Sequence, residues 1–252
     1  MFSSNLCVSR KMFKSNILAI CTLFIGFAAV QSFHAAVKSD NYYCIIFDGN
    51  MTGSVNYQTK ANQTKSFSFT VSEIVNQSGT CYYIYKANTT AESLKFSFKV
   101  DDLAENPTWD MNILFVSDHD GKGFKVENIT LFANFPPELN SSLIDETYTL
   151  VNKGDDWEVA GDTNGYTCGS SKFTLTNDST LYFQNVRVLA FTHLSNASFP
   201  AGQVFEQCAA DAKTSELVPI IVGACLVGLV IIVLVAYLIG RARAKRAGYA
   251  SV

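Results

Sequence analysis

The sequence has little charge, little proline and few histidines, and each shortage narrows what the chain can be. Only 16% of its 252 residues are charged while 48% are hydrophobic, which excludes a disordered chain because disorder needs low hydrophobicity and high charge. The three histidines, at positions 34, 119 and 193, are scattered, and no G-x-S-x-G motif occurs, so no serine hydrolase is indicated. The chain has five prolines and no Pro- or Ser-rich linker in its middle part, which favours one domain there.

Acidic residues are missing from both ends of the chain. All 22 lie between residues 33 and 216, together with 12 basic residues, so this section carries a net charge of −10. Such an acidic section argues against a nucleic-acid partner, because phosphates need a basic face. The remaining basic residues stand near the two ends, at positions 10, 11 and 14 and at positions 241, 243, 245 and 246.

The first apolar run, ILAICTLFIGFAAV at Ile17–Val30, has 14 residues and follows the front basic cluster. It is too short to span about 30 Å of hydrocarbon, and small residues follow it, which is typical of a secretory signal peptide. We predict a signal peptide over residues 1–32, cleaved near Ser32, with Ala35-Ala36 as a second candidate site. An uncleaved anchor is the alternative, because the segment before the run is long.

The second apolar run, Leu217–Gly240, has 24 residues without a charge. A helix of this length reaches about 36 Å, enough to cross a bilayer with some tilt. Pro219 is expected in its first turn, where a missing N–H matters little. The basic residues that follow place the C-terminus in the cytosol by the positive-inside rule. The prediction is a type I single-pass protein with a luminal domain at 33–216, a transmembrane helix at 217–240 and a cytosolic tail at 241–252.

Small residues in the second run suggest a further contact. Ala224 and Gly228 are four residues apart, and such a pair can let two transmembrane helices approach closely. A homo-oligomer formed through this pair is therefore a hypothesis.

Four of the seven cysteines fall in the predicted luminal section: Cys44, Cys81, Cys168 and Cys208. An even number in an oxidising compartment implies two disulfides, for which three pairings exist. The similar separations, 37 and 40 residues, favour sequential pairing without proving it. No C-x₂-C spacing supports a zinc site instead, and neither a metal nor another cofactor is predicted.

The luminal section is rich in N-x-S/T sequons, which are acceptors for N-linked glycans and are expected at the surface. There are eight of them, at Asn50, Asn62, Asn76, Asn88, Asn128, Asn140, Asn177 and Asn196. If most are occupied, carbohydrate covers much of the luminal surface.

Short runs of alternating apolar and polar residues indicate β-strands. Ser66–Val71 reads SFSFTV and Ser93–Val100 reads SLKFSFKV, and both have the period of two that half-buried strands show. Turn signals such as Pro136-Pro137 and Asn164-Gly165 separate such runs. No helical period of useful length appears before residue 217. About ten antiparallel strands predict an all-β, two-layer domain.

The C-terminal residues LVPIIVGACLVGLVIIVLVAYLIGRARAKRAGYASV closely resemble the transmembrane helix and tail of the lysosome-associated membrane glycoprotein family. Further similar segments lie at Gly165–Cys168, at Phe183–Phe191, and at Glu206–Cys208 with the following Asp211. The well-known members carry two luminal domains joined by a Pro/Ser-rich hinge, whereas one domain is predicted here. The sequence therefore resembles a single-luminal-domain type.

The resemblance implies a fold, a pairing of cysteines and a function. The luminal domain is expected to be the family's β-prism of antiparallel sheets, with disulfides Cys44–Cys81 and Cys168–Cys208. The expected function is that of a non-enzymatic glycoprotein of the lysosomal and late-endosomal membrane, with a minor pool at the cell surface, which shields that membrane from luminal hydrolases. Roles in lysosome fusion and autophagy, and a lipid or sterol partner for the luminal domain, are further hypotheses of the resemblance.

The chain ends in a candidate sorting signal. Gly248, Tyr249 and Val252 fit the pattern G-Y-x-x-Φ, in which the tyrosine and the aliphatic residue fill two pockets of a partner while the peptide extends along a sheet edge. Its position after a family-like helix predicts recognition by clathrin adaptor complexes. The alternative function is a plasma-membrane adhesion or cargo receptor that is endocytosed through the same tail.

Two features of the sequence hint at chemistry but are better explained by structure. Asp118–Gly121 (DHDG) offers carboxylates and an imidazole, yet it lacks the alternating ligands of a calcium loop and is expected to be a polar turn. Trp109 and Trp157 are expected to pack in the core or in turns rather than to bind sugar.

Overall fold

The structure, a computed structural model, describes residues 32–86, 89–100, 103, 107–117, 123–152, 157–159 and 164–248. The predicted signal peptide before residue 32 and the DHDG turn lie outside the described residues. The described part contains eleven strands followed by one long helix. The strands are β1 Phe33–Lys38, β2 Tyr43–Gln58, β3 Thr64–Ile84, β4 Thr90–Val100, β5 Thr108–Ser117, β6 Phe124–Asn134, β7 Asp145–Asn152, β8 Glu158–Val159, β9 Gly165–Leu175, β10 Thr180–Leu189 and β11 Phe205–Gln207, and the helix α1 is Ala209–Gly248.

Eight of the strands close on themselves. They follow the order β2-β10-β9-β7-β6-β5-β4-β3, and β3 pairs back with β2. Every neighbouring pair in this ring is antiparallel. β1 pairs with the first half of β2 and β3 with its second half, while β8 pairs with β6, and β11 runs parallel to β9. The result is a barrel-like, all-β domain, which confirms the predicted fold class.

The alternating residues point into this barrel as the sequence predicts. On β4, the side chains of Leu94, Phe96, Phe98 and Val100 are all buried. The same holds for Phe69 and Val71 on β3. Burial of these side chains removes apolar surface from water, which is the main favourable contribution to folding.

Two tryptophans organise the aromatic core. The Trp109 ring packs edge-on against Phe69 and Phe135 at 5.0 and 5.8 Å, and its Nε1–H donates to the Asn134 carbonyl at 2.8 Å. Trp157 packs edge-on against the Phe183 ring at 5.0 Å and donates to the Ser171 hydroxyl at 2.9 Å. Both indoles are buried and hydrogen-bonded, as buried indoles usually are, so the expectation of core packing is confirmed.

The helix differs from its prediction at both ends. α1 begins at Ala209, eight residues before the predicted start, and continues to Gly248. The early start follows from the good helix formers Ala209, Ala210 and Ala212 and from Asp211 in the first turn, where a carboxylate is favourable. Pro219 therefore lies inside the helix, and the prediction of a first-turn position was wrong.

Candidate functional site

The apolar part of α1 is the first candidate functional element. Pro219–Ile239 is 21 residues long and is, among the described residues, the one helix long and apolar enough to cross a membrane. None of its most apolar window is buried against the protein. Large side chains such as Ile232 and Val233 are about two-thirds exposed. Such exposure of apolar side chains is unfavourable in water but favourable in the hydrocarbon of a bilayer. The segment is suited to a bilayer.

The start of the helix is fixed to the β domain by a disulfide and hydrogen bonds. Cys208, directly before α1, is bonded to Cys168 of β9, and its N–H donates to the Thr167 carbonyl at 3.0 Å. The Asp211 carboxylate accepts from the Gly169 N–H at 2.6 Å. A Cβ at Gly169 would lie 2.9 Å from Asp211 Oδ1, so a larger residue here would have to displace this carboxylate. We call this arrangement of Cys168, Cys208, Gly169 and Asp211 the junction.

The junction is not a metal site. The two sulfur atoms and a carboxylate oxygen of Asp211 lie within 4.8 Å of one another, a spacing that could suit a metal. Both sulfurs are joined in the disulfide, and a metal would need them as thiolates. The sequence indicated the cysteines, but the hydrogen bond from Gly169 to Asp211 has no sequence pattern of its own.

The second disulfide lies within the β domain. Cys44 of β2 is bonded to Cys81 of β3, which joins the two strands where β1, rather than β3, is the hydrogen-bonded neighbour of β2. The sequential pairing of all four cysteines is thus confirmed.

Most of the predicted glycan acceptors are accessible. The side chains of Asn62, Asn76, Asn140, Asn177 and Asn196 are exposed, and that of Asn128 is half-buried. Asn88 lies outside the described residues. These six positions have the accessibility that a surface carbohydrate needs.

Asn50 does not have that accessibility. Its side chain is only 3% exposed, and its Oδ1 atom has no hydrogen-bond partner among the described residues. It lies in the middle of β2, opposite Gln184 of β10, where a sugar would have to displace the packed chain. The expectation that Asn50 is a surface acceptor is therefore wrong. Alternation places Asn50 on the same face as the half-buried Asp48 and Thr52, so the period of two could not reveal its burial.

Three exposed acceptors gather at the end of β2, and we call Asn62, Asn140 and Asn177 the β2-end acceptors. All three have positive φ angles, of 59°, 51° and 57°, a conformation that asparagine tolerates better than most residues. The Lys60 N–H donates to the Asn140 carbonyl at 3.0 Å, and the Asn56 amide donates to the Asn177 carbonyl at 3.0 Å. These asparagines therefore also shape the turns that present them.

A hydrogen-bond network around the buried Tyr148 supports this end of the barrel. The Tyr148 hydroxyl donates to Glu146 at 2.9 Å and lies 3.0 Å from the Asn56 carbonyl. Burial, and then the hydrogen bond to Glu146, raise the pKa of Tyr148 above its ordinary value. The other oxygen of Glu146 accepts from the Asn177 amide at 2.8 Å. A glycan bond replaces only one of the two amide hydrogens, so Asn177 can keep this contact when modified.

The predicted sorting signal lies almost wholly beyond the described residues. Gly248 is the last residue of α1, and Tyr249 and Val252 lie outside the described part of the chain. The signal stays a prediction.

Comparisons with known proteins agree with this architecture. A family model described as "Lysosome-associated membrane glycoprotein 2, transmembrane segment" matches residues 218–250. Lysosome-associated membrane glycoprotein 1 of Gallus gallus is 34% identical over 139 residues, which cover 55% of this chain and 31% of that protein. The protein of the same name from Rattus norvegicus is 28% identical over 220 residues, which cover 86% of this chain and 47% of that protein. The chain thus spans less than half the length of these curated relatives.

Solved structures show the same fold. The membrane-proximal domain of mouse lysosome-associated membrane protein 1 aligns with a TM-score of 0.55 and 20% identity, covering 72% of this chain and 98% of that one. The membrane-distal domain of mouse lysosome-associated membrane protein 2 aligns with a TM-score of 0.50 and 12% identity, covering 70% and 99%. At these identities the likeness concerns the fold alone.

The β domain, its two disulfides and the apolar helix define a membrane protein with a disulfide-bonded β domain carried on a spanning helix. The chain is thus similar to the lysosome-associated membrane glycoproteins in its spanning segment, in sequence over most of its length and in the fold of its β domain.

Proposed function

We propose that this protein is a type I glycoprotein of the lysosomal and late-endosomal membrane that shields the membrane from luminal hydrolases. The observation that carries the proposal is the combination of exposed glycan acceptors on the β domain with a direct covalent link from that domain to the spanning helix. A glycan-covered domain held at the helix would keep proteases and lipases away from the lipid surface. The function needs no catalytic group.

The distribution of acceptors supports the shielding role. The β2-end acceptors cover one end of the barrel, where the turns 59–63 and 139–142 meet. Asn76 lies on β3 and Asn128 on β6, and Asn196 follows β10. Carbohydrate at these positions would cover several faces of the domain and leave little bare protein for a large luminal partner.

Delivery to lysosomes would depend on the tail. Tyr249 and Val252 would occupy two pockets of a clathrin adaptor complex, with Gly248 leaving the chain free to extend. The tyrosine ring suits an apolar pocket that offers its hydroxyl a polar partner. Fusion of lysosomes with autophagosomes, and binding of a sterol or lipid, remain further hypotheses of the family resemblance.

Localisation of tail variants tests the proposal. Tyr249→Ala should move the full-length protein from lysosomes to the cell surface, as measured by surface biotinylation and imaging beside a lysosomal marker. Ser251→Ala changes a position between the two anchors and should leave the distribution unchanged. An unaltered lysosomal location of Tyr249→Ala would contradict the sorting proposal.

The same experiment distinguishes the lysosomal shielding glycoprotein from the alternative function. A plasma-membrane adhesion or cargo receptor would show the wild type mainly at the surface at steady state. The shielding glycoprotein would show only a minor surface pool. A predominantly surface wild type would therefore overturn the lysosomal proposal even if the tail is active in endocytosis.

A further inference from the structure

A buried carboxyl group lies on the inward side of β4. Glu92 is two residues before Leu94 and continues the inward row of that strand, and its side chain is 3% exposed. Within the described part of the chain no Lys, Arg or His forms an ion pair with it. An isolated ionised carboxylate is strongly disfavoured in such a place.

Glu92 holds two backbone segments that come from distant parts of the sequence. The Phe191 N–H donates to Glu92 Oε2 at 2.8 Å, and the Tyr82 N–H also donates to this carboxyl. Tyr82 and Phe191 have φ angles of 42° and 58°, in a left-handed region that aromatic residues rarely adopt. Glu92 therefore stabilises two unusual backbone conformations together, one at the register irregularity of β3 between Thr80 and Tyr83 and one after β10.

The two segments adjoin the Cys44–Cys81 disulfide. Tyr82 follows Cys81 directly, and the Thr192 N–H next to Phe191 donates to the Cys44 carbonyl at 3.2 Å. We call Tyr82, Glu92 and Phe191 the acid site. Opening of the acid site would free both chain segments around this disulfide.

The electrostatics of the acid site make it sensitive to pH. Burial raises the pKa of Glu92 to about 7, and the hydrogen bonds from Phe191 and Tyr82 oppose this rise only in part. In the unfolded chain the carboxyl has its ordinary value of 4.5. The folded domain therefore binds this proton more tightly than the unfolded chain does.

The elements around the acid site contribute few other ionisable side chains among the described residues. β3 contributes the hydroxyls of Tyr82 and Tyr83, and Tyr85 follows it; burial, and then Tyr85, raise the pKa of Tyr83. β5 places Phe115 opposite Glu92 and has no ionisable residue between Met111 and Ser117. The charged Lys38 lies over the Tyr43 ring. The segment after β10 contains His193, whose ring stacks on Tyr42 at 4.2 Å.

We propose that protonation of the buried Glu92 carboxyl stabilises the acid site, so that the folded β domain is more stable in an acidic compartment than at neutral pH. This stability is fully present below about pH 4.5 and is lost as the pH rises through about 7. Most acidic side chains instead lose their contribution to stability as the pH falls, because pairing with cations lowers their pKa. The inference goes beyond membrane shielding and does not depend on the tail signal.

Hydrogen–deuterium exchange of the full-length protein in lipid nanodiscs tests the proposal. After correction for intrinsic exchange rates, the opening equilibrium constants of peptides covering 80–86 and 189–194 should be as much as about 50-fold larger at about pH 7.5 than at about pH 5. Glu92→Gln, which resembles the neutral acid, should abolish this difference. Glu73→Gln makes the same chemical change at an exposed position of β3 and should keep it.

The outcomes that would overturn the proposal are distinct. Equal protection of the wild type at both pH values would contradict it, and this result needs no variant to fold. Persistence of the pH difference in Glu92→Gln would assign it to another group. Loss of the difference in His193→Gln would assign it to the histidine instead. None of these measurements depends on where the protein resides in the cell.

Discussion

The β domain and the spanning helix present apolar side chains to opposite sides. In the β domain, the aromatic rings around Trp109 and Trp157 point inward and are buried. Along Pro219–Ile239 the large aliphatic side chains point outward and have no protein partner within the described structure. Each arrangement is stable only in its own solvent, because water favours burial of apolar side chains whereas the bilayer core favours their exposure. The junction joins the two regions within a few residues.

Removal of an aromatic ring should distinguish the two regions most strongly. Trp109→Ala removes a buried indole and leaves the Asn134 carbonyl without its donor, so it should lower the free energy of unfolding of the β domain by roughly 3–5 kcal/mol. Tyr237→Ala removes an exposed ring from the spanning helix and should leave that free energy unchanged. Urea denaturation of the purified full-length proteins measures both. Similar losses of unfolding free energy in the two variants would contradict the view that only the aromatic rings of the β domain contribute to its stability.

A matched pair of exposed isoleucines tests the same comparison between the β domain and the spanning helix. Ile231 in the helix and Ile144 before β7 are both exposed. Ile231→Arg should make membrane insertion less favourable by about 3 kcal/mol, which would reduce the fraction resistant to carbonate extraction. Ile144→Arg should insert normally, because its side chain faces water. Equal extraction of both variants would mean that exposure of the helix does not reflect contact with lipid.

The hydrogen bond of the junction should have a smaller effect. Asp211→Ala removes the acceptor of the Gly169 N–H and should cost about 1 kcal/mol, seen as faster hydrogen exchange in peptides covering 165–175. Asp40→Ala, at an exposed position between β1 and β2, serves as the control. Unchanged exchange in Asp211→Ala would show that the disulfide and the hydrogen bond from Cys208 to Thr167 hold the junction without the Asp211 carboxylate.

The smallest effect is expected at Asn50. Thr52→Ala removes its sequon without altering the buried asparagine, and we expect no change in electrophoretic mobility, because a folded chain with a glycan at this site could not form. Thr64→Ala removes the sequon of Asn62 and should increase the mobility by the mass of one glycan. A mobility increase in Thr52→Ala would show that β2 accommodates carbohydrate.

The sequence predicted those features that depend on local pattern. Alternation on β4 identified the inward row from Leu94 to Val100, and the uncharged run around Val230 identified the spanning segment. The same alternation, extended by two residues, would have placed Glu92 inside. It was missed because an acidic residue is normally expected in water.

Features that depend on tertiary packing could not be predicted in this way. A period of two shows which face of a strand is apolar, but not which strands pair, so the pairings of β2 with β10 and of β7 with β9 have no local signal. The burial of Asn50 on a polar face likewise arises where β2 pairs with β10, which is distant in the sequence.

Closure of the ring also limits how the domain can be digested. Proteases bind their substrates as extended strands and need a free row of backbone donors and acceptors for this. Here residues 52–54 of β2 have β10 on one side and β3 on the other. At β1, which lies outside the ring, the Ala36 N–H already bonds to the Gln77 side chain at 3.1 Å. The backbone of these strands therefore offers a peptidase few free donors and acceptors to bind.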